Sequence, residues 1–185
     1  AGGFRPLRLA LRRRVAAQEL RANPKLNPVC ISEGALGNGL PERDLYVSRQ
    51  HRMLVASDIA RRMFAARRVL VAAIRLTELP GIRVVPAVRD VDYFHLLFDA
   101  HEIIFAEGAP TESLYTGANA LAALTQEARD EIAALFLASL RADHQPEPAH
   151  LVLTGKQQRR LVARHLKNHR GILETADLAQ SHDRR

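Results

Sequence analysis

One cysteine, Cys30, stands in a chain of 185 residues. No disulfide can therefore form within the chain, and no zinc site can be assembled from thiolates. A lone thiol leaves the redox compartment open. No apolar run reaches the ~20 residues that a membrane-spanning helix needs, and arginines fill the N-terminal stretch where a signal peptide would carry its apolar segment. Aromatic residues make up 5% of the chain and cluster in the strand-like stretches. The arginines thus have no stacking platform of the kind that binds single-stranded nucleic acid. Internal repeats and low-complexity tracts are absent as well.

Hydrophobic residues make up 47% of the chain, enough to bury a core and to exclude wholesale disorder. The length suits one domain, or one domain with an appendage. The net charge of +7 is uneven. Residues 1–21 carry six arginines against Glu19, and residues 154–185 carry eight Lys/Arg against Glu174, Asp177 and Asp183, leaving the middle slightly acidic. Basic ends attract nucleic acid or anionic lipid in some proteins, but the ordinary reading is a set of solvated faces. Neither a nucleic-acid nor a membrane partner is expected.

Residues 1–14 read as extended: Phe4, Leu7, Leu9 and Leu11 interleave with Arg5, Arg8 and Arg12, and Pro6 disfavours a helix. Val15 to Ala22 suits a short helix closed by Asn23-Pro24, and Pro28 to Ile31 a short strand. Gly34 to Pro41 is a loop, without the glycine order or the Lys-Ser/Thr of a phosphate cradle. From Asp44 the chain turns β-rich. Leu45–Val47 and Met53–Val55 flank a polar Ser48–Arg52 segment. Asp58 to Arg68 stays open between strand and helical turn, and Val69 to Leu79 reads as a strand open to interruption. Ile82 to Val88, Val91 to Phe98 and Glu102 to Ala106 read as further strands. After Gly117 the hydrophobic period changes. Ala128, Ile132, Leu135 and Phe136 mark an amphipathic helix over 125–140. Thr154 and Gln157 fit a capping box, opening a helix over 155–168 with the stripe Leu161, Val162, His165 and Leu166. The expected fold is mainly β with C-terminal amphipathic helices, divided into a β domain over 1–117 and a helical extension over 118–185.

Two stretches carry the chemistry. In Leu45-Tyr-Val-Ser48-Arg-Gln-His51-Arg-Met-Leu-Val55 a hydroxyl lies three positions before a histidine. In Val91-Asp-Tyr-Phe-His95-Leu-Leu-Phe-Asp-Ala-His101-Glu-Ile-Ile-Phe-Ala-Glu-Gly108 two histidines lie six apart. In that order and at that spacing they resemble two conserved blocks of the Hint family of hedgehog proteins and inteins. Ser48-x-x-His51 resembles the family's Thr-x-x-His, with serine for threonine. The stretch from His95 to Gly108 resembles its closing pair of strands. Gly39-Leu-Pro-Glu-Arg-Asp-Leu-Tyr-Val-Ser-Arg-Gln-His51 and Phe105-Ala-Glu-Gly-Ala-Pro-Thr-Glu-Ser113 are similar to the bacterial Hint-type subgroup. The likeness covers residues 1–117 well, and the helical remainder less specifically.

The resemblance implies an intein-like β fold and an N–S acyl shift on the chain's own upstream polypeptide, with no cofactor and no metal. In that chemistry a leading cysteine attacks the preceding carbonyl, and an amide becomes a thioester. By resemblance His51 is the general acid on the scissile nitrogen and Ser48 orients it or steadies the oxyanion. His95 assists proton transfer, and His101 stands behind these or acts late. Histidine suits such roles because its pKa lies near working pH. No residue here matches the family's leading cysteine, whose strand is expected upstream of Ala1. The region matching the His-Asn of splicing inteins reads Gly108-Ala-Pro-Thr-Glu-Ser113, so cleavage rather than splicing is expected, and none from the chain as it stands. The alternative is a non-catalytic Hint scaffold or interaction module of a larger secreted or cell-surface bacterial protein.

Plainer roles compete at several positions. His51, His95 and His101 each suit a structural histidine, and His101, after a turn, suits an exposed one. Cys30 lies within a short apolar strand and suits a small buried hydrophobe. His165 and His169 stand one helical turn apart as metal ligands would, but Arg164, Lys167 and Arg170 repel a cation. Lys156, Arg159, Arg160, Arg164 and Lys167 suit a solvated face.

Overall fold

The computed structural model describes residues 4–86, 89–116 and 147–174. Three sheets organise them. The first is a two-stranded ribbon of β1 (Leu9–Val15) and β7 (Val91–Leu97), antiparallel, with Leu11 opposite His95 and Arg13 opposite Tyr93. Alternation decides its faces. Leu11, Val15 and Leu97 are buried, while Arg12, Arg14, Asp92 and Phe94 are exposed. The outward arginines meet aspartates across the ribbon: Arg8–Asp99 at 2.8 Å, Arg12–Asp92 at 2.7 Å and Arg14–Asp90 at 2.9 Å. Arg8, Arg12 and Arg14 are therefore matched by acids of one segment, and Arg13 by Glu19 of the helix that follows. Such exposed pairs, screened by solvent, add little to stability. Between β1 and the second sheet runs α1 (Ala17–Ala22), ending at Asn23 before Pro24 as expected.

The second sheet places β2 (Val29–Ile31) between β3 (Leu45–Val47) and β6 (Ile82–Val84), both antiparallel to it. The third has five strands, in the order β10 (Leu151–Val152), β5 (Arg68–Ala72), β4 (Arg52–Ala56), β9 (Ala109–Glu112) and β8 (Ile103–Ala106), with only the β10–β5 pair parallel. The Leu45–Val47 and Met53–Val55 strands thus belong to different sheets, and the Ser48–Arg52 segment carries the chain from one to the other. Central strands β4 and β5 are buried along Met53–Ala56 and Val69–Ala72, which explains their unbroken apolar runs.

Asp58 to Arg68, left open by the sequence, contains α2 (Asp58–Phe64), capped by the Ser57 hydroxyl accepting from the Ala60 N–H at 3.1 Å. The strand expected over 69–79 is shorter. It ends at Ala72, and α3 (Ala73–Leu76) follows. There the β-branched run gives way to Ala-Ile-Arg-Leu, and the N–H groups of Ala73 and Ile74 donate to the carbonyls of His51 and Arg49 at 2.8 and 3.0 Å. The strand expected over 82–88 ends at Val84, before Pro86.

Residues 147–174 are woven into this body. In α4 (Gly155–Lys167) the Thr154–Gln157 capping box is formed and Leu161, Val162 and His165 are buried. Leu166, assigned to the same stripe from its spacing, is instead 43% exposed. The buried Gln158 amide donates to the Leu153 carbonyl at 2.6 Å, and its oxygen accepts from the Ala72 N–H at 3.3 Å. Leu161, Val162, Ile172 and Leu173 join one core with Val29 and Ile31 of β2, Met53 and Val55 of β4, and Val69 and Val71 of β5. The Gly34–Pro41 loop docks this segment: the N–H groups of Ile172 and Leu173 both donate to the Leu36 carbonyl at 3.0 Å. A Cβ on Gly37, whose φ is +100°, would lie 3.2 Å from the Leu173 carbonyl oxygen and 3.3 Å from the Gly171 Cα. Glycine is therefore required there by conformation and by space. The helix expected over 125–140 lies outside the described residues. Among those residues, no helix is long and apolar enough to cross a membrane.

Candidate functional site

Ser48 and His51 form a turn, with the His51 N–H donating to the Ser48 carbonyl at 3.1 Å. The turn, together with the bond from the Ala73 N–H to the His51 carbonyl, fixes the histidine backbone where β4 begins. The hydroxyl that meets its ring is not that of Ser48, which contacts His51 through its backbone, but that of Thr111 on β9, hydrogen-bonded to His51 Nε2. Thr111 Oγ1 also donates to the Arg52 carbonyl at 3.1 Å. A hydroxyl has one proton. With that proton on the carbonyl, the oxygen accepts from the imidazole, which assigns the proton to Nε2 and leaves Nδ1 bare.

The next residue of β9 is Glu112, buried to 7% exposure. Successive strand residues point to opposite faces, yet all four residues of β9 are buried. Thr111 and Glu112 can therefore both work inside the protein. The Glu112 carboxylate accepts from the Arg52 N–H and from Arg52 Nη1, each at 2.9 Å. His101 Nε2 lies 3.3 Å from its Oε2. That approach is too oblique for a well-formed hydrogen bond, but it is close enough for strong electrostatic contact. The Ala149 N–H donates to His101 Nδ1 at 3.0 Å, so the neutral ring carries its proton on Nε2, towards Glu112. Tyr115 covers this group, edge-on to His101 at 5.1 Å and beneath the Arg52 guanidinium at 5.7 Å. His101, for which an exposed position was one of the plainer roles, is buried, because the chain before β10 folds over it.

Burial pushes the Glu112 carboxyl up, but His101 and Arg52 outweigh it and hold the group below the usual range, ionised at neutral pH. Burial pushes His51 down to about 4; Glu112 opposes the shift, and His95 and Arg52 add to it. His51 is half-buried as a residue, and protein atoms crowd its ring. His95 lies within electrostatic reach of His51 and is likewise shifted down, by burial and then by Arg13.

His51 and His95 belong to different sheets: His95 lies on β7 in the ribbon, and His51 precedes β4 in the five-stranded sheet. The two sheets are joined where the chain leaves β9, with the Leu114 N–H donating to the Leu96 carbonyl at 2.8 Å. The structure thus brings His51 to Thr111 and His101 to Glu112, with His95 within electrostatic reach of His51; the sequence reading did not single out Thr111 or Glu112. Their one local signal was a hydroxyl and a carboxylate side by side after the Glu107-Gly108 turn. Cys30 is elsewhere, fully buried in β2 with Sγ 3.7 Å from Asp44 Oδ2. His165, raised above as a metal ligand, is also committed. Its Nδ1–H points at the carbonyls of Arg170 and Gly171, at 3.2 and 3.1 Å, and its Nε2 accepts from the Ser57 hydroxyl at 3.0 Å. Among the described residues no group of three or more His, Cys, Asp or Glu side chains is placed to hold a metal ion.

Comparison with known proteins finds no match among curated proteins or solved structures. A family model does match: that of the Hint domain, over residues 1–118. Covering well over half of the chain and containing every residue of the His51 group except Ala149, the match establishes that this protein belongs to the Hint domain family.

Proposed function

We propose that this domain is the machinery of an N–S acyl shift that cleaves its own upstream polypeptide without splicing. The observation that carries the reading is the Thr111 hydroxyl held between His51 Nε2 and the Arg52 carbonyl, which orients the ring and assigns its proton to Nε2, leaving Nδ1 bare. A neutral imidazole of this tautomer serves first as a base. Nδ1 takes the proton of a cysteine thiol, the thiolate adds to the preceding carbonyl carbon, and the C–S bond forms. The same nitrogen then returns the proton to the amide nitrogen as the C–N bond breaks, leaving a thioester and a free amine. A pKa of about 4 makes resting His51 a poor acid, but once protonated it is a strong one. That suits a leaving nitrogen which departs only when protonated. The general-acid role expected for His51 becomes the second half of a relay.

The thiol is not Cys30, which is buried in another sheet. The relay requires a cysteine that leads a strand, as in the family at large, and Cys30 is the one cysteine among the 185 residues. No asparagine follows β9 in the Gly108–Ser113 stretch to complete splicing. In a polypeptide that places a cysteine-led strand ahead of residue 1, hydroxylamine or added thiol should release the N-terminal part. His51→Ala should slow that release by about 10²–10⁴-fold. Release at an unchanged rate would remove His51 from the mechanism; no release from any such polypeptide would leave the scaffold reading.

A further inference from the structure

The relay creates a charge where the protein is least suited to hold one. When His51 takes a proton, an imidazolium appears on a crowded ring whose Nε2–H meets a neutral hydroxyl, with Arg52 and His95 nearby. Desolvation and two positive or potentially positive neighbours all oppose it. In a hydrolase triad one carboxylate both orients the histidine and offsets its charge. Here the orienting partner, Thr111, carries no charge.

We propose that Glu112 is the positioning residue that makes protonated His51 tolerable: a fixed counter-charge held by Arg52, dividing with Thr111 the two tasks of a triad carboxylate. This rests on the relay described above. The placement supports it. Thr111 and Glu112 are consecutive on β9, and Arg52 directly follows His51, so one strand pairing brings both helpers to the histidine. Two donors from Arg52 fix both carboxylate oxygens, and His101 stands against Oε2. The carboxylate is therefore not free to swing out to water, nor to take the His51 proton itself, and acts through space. Among the charged groups that act on His51 (Glu112 from β9, His95 from β7, Arg52 from β4), Glu112 has the largest influence and is the one that favours the protonated ring. His101, whose Nε2 stands 3.3 Å from Glu112 Oε2, adds to what keeps Glu112 ionised.

The test is a histidine NMR titration of the 185-residue chain, with His51 assigned by His51→Gln. Glu112→Gln should move the His51 titration further down, by about one unit. Glu112→Asp should restore most of that shift, and the ring should keep its proton on Nε2 throughout. Should Glu112→Gln fail to fold, the ¹³C carboxyl shift of Glu112 in the unsubstituted chain is the second measurement, and it should report the His51 titration as well as its own. In a polypeptide with a cysteine-led strand, Glu112→Gln should also displace the pH profile of release, beyond a uniform loss of rate. An unmoved His51 titration in Glu112→Gln, or a Glu112 carboxyl shift that does not follow the His51 titration if that variant does not fold, overturns the counter-charge whatever the release assay shows. A moved titration without release from any variant supports the counter-charge and removes the relay.

Discussion

At the scale of single residues, the buried histidines make stability depend on pH in a defined direction. His51 ionises near 6.5 when unfolded and at about 4 when folded. Between those values the unfolded chain binds a proton that the folded protein refuses, so stability falls as pH drops from about 6.5 to 4 and levels off below. The shift corresponds to about 2–3 kcal/mol once the partial exposure of the residue is allowed for. His95 and His165 are shifted the same way and steepen the loss. Urea unfolding at pH 7.5 and 4.5 should show it, and His51→Gln should flatten the dependence; an equal slope in both proteins would mean that His51 is not held neutral. Cys30 offers the contrast. Its thiol fills space in β2, so Cys30→Ala should cost about 1 kcal/mol or slightly more, as loss of a small buried side chain does. Rapid alkylation of the native thiol would instead indicate a reactive group.

At the scale of elements, α4 is held by its buried face and by its N-terminus, and these should separate by mutation. Leu161→Ala removes a fully buried side chain of the shared core and should cost about 2–5 kcal/mol. Thr154→Ala breaks the capping box and should cost about 1 kcal/mol. Arg159→Ala on the exposed face should change stability by less than about 0.5 kcal/mol. Thermal or urea unfolding ranks the three. If Arg159→Ala matched Leu161→Ala, the assigned faces of the helix would be wrong. Periodicity made both the helix and its cap legible. It misplaced Leu166, because a stripe read from spacing does not reveal how wide a face the body covers. The strand read over 69–79 failed for a related reason: an apolar run signals burial, and the helix Ala73–Leu76 buries Ala73 and Leu76.

At the scale of the whole molecule, the change of hydrophobic period after Gly117 does not mark the end of the packed body. β10 pairs with β5, α4 supplies Leu161 and Val162 to the core, and Ile172 and Leu173 bond to the Leu36 carbonyl. A chain ending at residue 146 would expose these surfaces and leave Ser57 without His165. It should lose cooperative unfolding and gain rapid proteolysis, while the full chain unfolds in one transition. Equal protease resistance in the two would show that residues 147–185 are an accessory. The same segment reaches the candidate site, since the Ala149 N–H fixes the tautomer of His101. Truncation should therefore disturb the Glu112 environment as well as the core.

The sequence by itself determined the β-rich character from Asp44 onward, the helix over 155–168 with its cap, and the Hint likeness, because alternation, periodicity and short motifs are local. It also marked His51, His95 and His101, whose spacing relative to one another lies within two contiguous stretches. Tertiary structure alone decided what those histidines face. Thr111 lies sixty residues from His51 and is brought to it by the pairing of β9 with β4, Glu112 is bound by Arg52 through the same pairing, and His101 is closed in by Ala149. Such contacts depend on which strands become neighbours and on what covers them. A one-dimensional pattern of apolar and polar residues does not encode that choice, which is settled only when the long-range pairings close together around one core.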